Sequence, residues 1–126
     1  MLRLRSGQIE ALDAAVRAAF HRRAIAHLRA AFPGHETLRD TDRATATVDA
    51  AMERAADYGI TSERDVVRFI DLEFALGTDF PDRDPTAWVR NVLEAPRQSP
   101  AERMNRIYDR LARERPDLRS VWERWR

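Results

Sequence analysis

The sequence predicts an all-α fold, a single-domain bundle of five to six helices around a central apolar helix running from about Glu63 to Leu76. Three observations carry this expectation. Apolar residues recur at alternating three- and four-residue spacings through much of the chain, the period that gathers them on one side of a helix. Helix-start chemistry recurs too: Ser62 and Ser99 are each followed three residues later by an acid, and Pro100 stands where a first-turn proline costs no hydrogen bond. No strand pattern competes, since the alternating stretch Leu2-Arg3-Leu4 is too short to found a sheet.

The elements follow in order. Ile9, Leu12, Val16, Phe20, Ala24, Leu28 and Phe32 predict a first helix that begins after Ser6 and stops before Pro33-Gly34. A second runs from about Asp42 to Tyr58, with Ala44, Val48, Ala51 and Ala55 on one face, and Gly59 ends it. Ser62 caps the third, with the Asp65 carboxylate reaching back to an orphan amide as in a capping box. Up to Gly77, its Val66, Val67, Phe69, Ile70, Leu72, Phe74 and Leu76 cover most of the circumference, as expected of a helix packed on several sides. After an acidic loop, Asp84 caps a short fourth helix that begins at Pro85 and closes at Ala95-Pro96. Ser99-Pro100-Ala101-Glu102 opens the fifth, and Pro116 the sixth, whose Leu118, Val121, Trp122 and Trp125 form one stripe. That last segment, 116–126, is separable from the body.

Composition narrows the function classes. At 126 residues the chain is one domain by size, and with no cysteine it has neither disulfides nor thiolate metal sites. Its first residues lead into a charged amphipathic segment instead of an apolar leader, and no apolar run approaches the ~20 residues of a membrane span, so a cytoplasmic protein is expected. All 22 basic residues are arginine, the residue suited to bidentate recognition of carboxylate and phosphate. Charge is unevenly spread: residues 1–35 carry +4, 36–84 carry −7 and 85–126 carry +4. Such a pattern neutralises itself when helices pack or polarises a surface toward a partner.

Four groups of residues are candidates for function. Glu73 falls between Val66 and Phe69 on the helical wheel, inside the apolar arc, and a carboxylate there needs a partner because burying an unpaired charge costs several kcal/mol. Arg23 and His27 of the first helix are the favoured partners. The histidines do not make a metal site, because His21 and His27 are six apart and His35 sits in a turn. Asp79, Asp82 and Asp84 lack the glycine and the closing glutamate of a calcium loop, so Asp79 and Asp82 read as solvated loop acids that a basic partner would meet. On the fifth helix Arg103, Arg106, Arg110 and Arg113 share a face, with Glu102–Arg106, Asp109–Arg113 and Arg110–Glu114 spaced to pair along it. That face is either salt-bridged and solvated or a seat for an acidic protein surface; nucleic acid is disfavoured by a net charge of +1. Last, Trp122 and Trp125, flanked by arginines, either close the core or anchor a partner.

Enzyme signatures are missing: there is no glycine-rich phosphate loop, no His-Glu-x-x-His and no cysteine nucleophile, and no catalytic, metal or cofactor residue is expected.

One stretch carries a resemblance. Tyr58-Gly59-Ile60, then Ser62-Glu63-x-Asp65-Val66-x-Arg68-Phe69-Ile70-Asp71-Leu72, then Phe74-x-Leu76-Gly77-x-Asp79-Phe80 resembles a family of small helical proteins. Members are encoded beside type VI secretion effector modules of Gram-negative bacteria, among spike proteins, PAAR-type tips and lysozyme-like or lipase toxins. The resemblance implies a protein partner, either a secreted effector or toxin or a spike component. Together with the missing enzyme signatures it raises an adaptor or chaperone for loading, with an immunity protein whose acidic middle segment occludes a basic active site as the alternative; a third role, a nucleic-acid-binding regulator, is kept only by the arginines.

Overall fold

The computed structural model describes residues 6–82 and 84–125, with side chains described from Asp13 onward. The protein is all-α: 77% of it is helical, in six α-helices, with no strand among the described residues. Two compact units, residues 1–45 and 46–126, divide the chain.

In the first unit, α1 spans Ser6–Ala31. Gly34, at φ 81°, turns the chain into a 3₁₀ turn at Glu36–Arg39. Arg29 ties the turn to α1, donating from Nε to the Leu38 carbonyl at 3.1 Å and from Nη2 to Thr41 Oγ1 at 3.4 Å. Phe20, Ala24, Ile25 and Leu28 are buried, but Val16 is 62% exposed and residues 13–18 are all exposed. The apolar stripe expected to run through Val16 therefore stops short of it, because periodicity fixes a side of the helix but does not supply a neighbour to cover it. Ile9 and Leu12 lie outside the described side chains. Asp40 starts α2, Thr41–Asp57, its carboxylate accepting from the amides of Asp42 at 2.9 Å and Arg43 at 3.3 Å.

In the second unit, α2 ends in a turn where Gly59, at φ 76°, donates to Ala56 O and Ile60 donates to Ala55 O. This is the paired bonding by which a glycine in left-handed conformation closes a helix. Then comes α3, Glu63–Leu76, in which nine residues are buried, among them Arg68, Asp71 and Glu73 as well as Val66, Phe69, Ile70 and Leu72. It packs on α5 and on the 3₁₀ turn Phe80–Asp82, whose Phe80 ring lies 5.7 Å from that of Phe69.

The fourth helix corrects the expectation drawn from Asp84-Pro85. The Asp84–Pro85 bond is cis, and α4 begins at Trp88 and runs to Leu93. Its start is held by the buried Thr86, whose hydroxyl donates to Phe80 O at 2.7 Å and whose carbonyl accepts from the Val89 amide. Ser99 caps α5, Pro100–Glu114, accepting from the Glu102 amide at 3.2 Å. A 3₁₀ turn at Pro116–Leu118 leads into α6, Arg119–Glu123, and both pack on α5. Met104, Ile107 and Leu111 of α5 and Val89 and Leu93 of α4 are fully buried. Among the described residues no helix is long and apolar enough to cross a membrane.

Candidate functional site

The chemistry gathers on α5, between α3 on its inner side and α4 and α6 at its flanks. Arg68 of α3 is 2% exposed. Its Nη1 donates to Asp65 Oδ1 at 3.3 Å, its Nη2 to Asn105 Oδ1 at 2.9 Å, and its guanidinium lies 4.7 Å from the centroid of Tyr108. Tyr108 returns the contact by donating its hydroxyl to the Arg68 carbonyl at 2.7 Å. The Arg68 Nε is buried with no acceptor. Asp65 completes the cap of α3 differently from a capping box: its carboxylate accepts from the Ser62 hydroxyl at 3.0 Å, while its own amide donates to that hydroxyl at 3.3 Å. The carboxylate is thereby aimed at Arg68 instead of at a backbone amide.

Three residues further along α3, Asp71 is fully buried and accepts from the indole Nε1 of Trp125 at 2.8 Å. Arg64 holds the same tryptophan from outside, donating to its carbonyl at 3.1 Å with the guanidinium 5.9 Å from the ring. Trp122 is 3% exposed, meets Tyr108 edge-on at 5.4 Å and donates its indole N–H to Arg115 O at 3.0 Å. Of the two readings of this stripe, closing the core or anchoring a partner, the burial of Trp122 fits the first. Trp122 is wall and core at once, whereas Trp125 is half-buried. Beside them opens a cleft of about 590 Å³, with Arg68, Tyr108, Trp122 and Trp125 on its walls and Asn105, Asp109 and Arg113 along its α5 edge.

A second recess of about 270 Å³ lies at the other flank of α5, lined by Trp88, Val92, Arg106, Asp109, Arg110 and Arg113. Arg110 covers Trp88 at 4.1 Å and donates to Glu114 at 2.7 Å, the pairing the spacing predicts. The other two expected pairs do not form. Arg106 turns to the side-chain oxygen of Gln98 at 2.7 Å instead of Glu102, and among the described residues no ion pair engages Arg113 or Asp109.

Arg103 leaves the exposed face altogether. It is 9% exposed, and its Nη1 donates to the carbonyls of Leu93 and, at 2.9 Å, Tyr58. One guanidinium thus covers carbonyl groups at the ends of α4 and α2, where backbone acceptors lack intrahelical donors and a cation complements the helix dipole. As a partner-binding candidate it is therefore corrected to a structural role.

Glu73 is buried and paired, with Arg54 of α2 as its partner where Arg23 or His27 was expected. Both carboxylate oxygens are taken, by Arg54 Nε at 2.6 Å and Nη2 at 2.7 Å. The hydrogen bond to Glu73 holds Arg54 above its ordinary pKa, against a smaller opposing effect of burial. A small recess of about 170 Å³ adjoins the pair, edged by Asp57, Asp79 and Asp82. Asp79 and Asp82 are exposed, and Asp82 accepts from Arg90. Replacing Arg54 by alanine is expected to cost about 2 kcal/mol, below the ~3–5 kcal/mol of a fully buried pair because the Arg54 side chain is 38% exposed. Glu73→Met should cost clearly less, since it leaves a cation that reaches water, and urea denaturation of the two variants checks the order.

Burial pushes the Tyr108 phenol well above its ordinary pKa, the Asp71 carboxylate adds to the rise and Arg68 opposes it. A phenol whose folded pKa is raised contributes stability that is whole below the unfolded value of ~10 and is lost as pH climbs toward the folded one. Unfolding free energy should therefore fall more steeply above about pH 10 in the wild type than in Tyr108→Phe, and parallel slopes in paired denaturation curves would contradict this.

The sequence reading brought Arg106, Arg110, Arg113, Trp122 and Trp125 into view, and all five border these two recesses. It missed Arg68, Asp71, Tyr108, Asn105 and Trp88. A signal existed for two of them, since any polar residue on a helix that is apolar nearly all round must be buried and partnered. Among the described residues no three histidine or acidic side chains stand close enough to hold a metal ion. Compared with protein-family models, with curated proteins and with solved structures, the chain finds no match.

Proposed function

We propose that the protein is a non-enzymatic interaction module that binds a protein partner across the outward face of α5. In this reading it serves as an adaptor or chaperone for a type VI secretion effector or its carrier. The observation that carries the binding role is the ridge Arg106–Arg110–Arg113, flanked by Trp88 on one side and Trp122 and Trp125 on the other. Arginine and tryptophan are the residue types that most often dominate binding energy at protein interfaces. The identity of the partner rests on the resemblance of the Tyr58–Phe80 stretch alone.

Co-expression with the effector and spike proteins of a type VI cluster, followed by co-purification and an effector activity assay, tests the proposal. An adaptor binds and leaves effector activity intact. Stoichiometric inhibition of the toxin would instead make it an immunity protein, a role that the exposed Asp79 and Asp82 beside Asp57 would suit. Salt-sensitive binding to DNA without a protein partner would overturn both.

A further inference from the structure

The two recesses are not independent, because both are edged by Asp109 and Arg113. They are the two flanks of one ridge, and each has an indole in its wall. Of the ridge cations, Arg110 is committed to Glu114 and to the face of Trp88. Among the described residues, Arg106 is held only by a neutral amide and Arg113 has no acid on it. Arg106 and Arg113 are seven residues apart on one helix, which puts them on the same face with a rise of roughly 10 Å between them. Asp109 stands between the two and disfavours a negative charge at the midpoint.

We infer that this ridge is a binding site for an acidic, extended segment of a protein partner, with two carboxylates about 10 Å apart, one on Arg106 and one on Arg113, bracketing an apolar or aromatic side chain that enters the cleft beside Trp125. In an extended chain side chains share a face at every second residue, ~6.6 Å apart, so acids at the first and fifth positions, about 13 Å apart at their backbones, converge on the two arginines while the aromatic side chain at the third position faces the ridge between them. Bidentate pairing is what a guanidinium offers a carboxylate. A cleft of about 590 Å³ is ample for one aromatic side chain. Phosphates of a nucleic acid carry the right sign, but they follow one another without the neutral midpoint that Asp109 requires. The inference deepens the interaction-module reading and rests on it.

The probe is the blocked peptide Gly-Glu-Gly-Phe-Gly-Glu-Gly carrying an amino-terminal fluorescein, titrated with the full chain by fluorescence anisotropy at low salt. Its glutamine counterpart and a labelled oligo-dT of equal charge run beside it. The glutamate peptide should bind at least tenfold more tightly than the glutamine one. Arg113→Glu should weaken it at least tenfold, whereas Arg39→Glu, an exposed residue that lines neither recess, should change it less than twofold. Equal affinity for the two peptides, tighter binding of oligo-dT, or an Arg113→Glu variant with unchanged melting and unchanged affinity would each overturn the inference. The comparison of the two peptides uses only the wild-type chain, so it holds even if a variant misfolds. Failure here with a partner still co-purifying removes the segment assignment alone; peptide binding with no partner in any co-expression removes the adaptor reading and leaves the site.

Discussion

Trp122→Ala is expected to lower folding stability by about 3–5 kcal/mol, which for a chain of this size is a fall of roughly 12–20 °C in melting temperature. The side chain is 3% exposed, sits edge-on to Tyr108 and uses its indole N–H on the Arg115 carbonyl, so truncation opens a cavity and orphans an acceptor together. Trp125→Phe should cost less, about 1–3 kcal/mol, because it keeps the ring but removes the donor to the buried Asp71. Deleting the chain from Pro116 onward combines these losses and removes the buried Val121 as well. Thermal melts of the three proteins should rank Trp125→Phe above Trp122→Ala above the truncation. A truncation that melts with the wild type would show the segment to be an appendage.

Arg68→Met should be comparably damaging, about 3–5 kcal/mol, because it leaves the buried Asp65 carboxylate without its cation and Asn105 and Tyr108 without the group they hold. Arg68→Lys should recover less than half of that. An ammonium is a single point of donation and cannot reach Asp65 and Asn105 as a planar fork does while lying against the Tyr108 ring. Asp65→Asn with Arg68→Met should be milder than Arg68→Met alone, since it removes the stranded charge. Equal stability of Arg68→Met and wild type in urea would sink this account of the α3–α5 contact.

Local chemistry made most of the fold legible. Ser62 and Ser99 start helices, Gly59 and Gly77 end them, and α3 is the buried helix its apolar circumference announced. The misses share one cause, which is that partner choice depends on tertiary approach and not on spacing along one element. Glu73 was legible as buried and paired, yet Arg54 is 19 residues away on another helix, and no pattern within either helix names the other. Asp109 and Arg113 have ideal spacing for an ion pair and do not form one, whereas Arg110 and Glu114 do. A pair worth a few tenths of a kcal/mol is easily outweighed by its surroundings. Arg103 shows the same limit, since the wheel placed it with its neighbours on the ridge while two helix ends drew it inward. Asp84-Pro85 read as a helix start and became a turn, and α4 begins at Trp88 with no side-chain cap.

The order in which a ribosome delivers the chain gives the polar groups of α3 a further meaning. Arg68 and Asp71 leave the tunnel early, but Asn105, Tyr108 and Trp125 that hold them follow 37, 40 and 54 residues later. At a synthesis rate of roughly 5–20 residues per second, α3 waits seconds for those partners. Throughout that interval its most central helix carries a guanidinium and a carboxylate that cannot be buried without cost. Burial of α3 is therefore favoured only once α5 and Trp125 are present to meet these groups, which ties its packing to segments far along the chain.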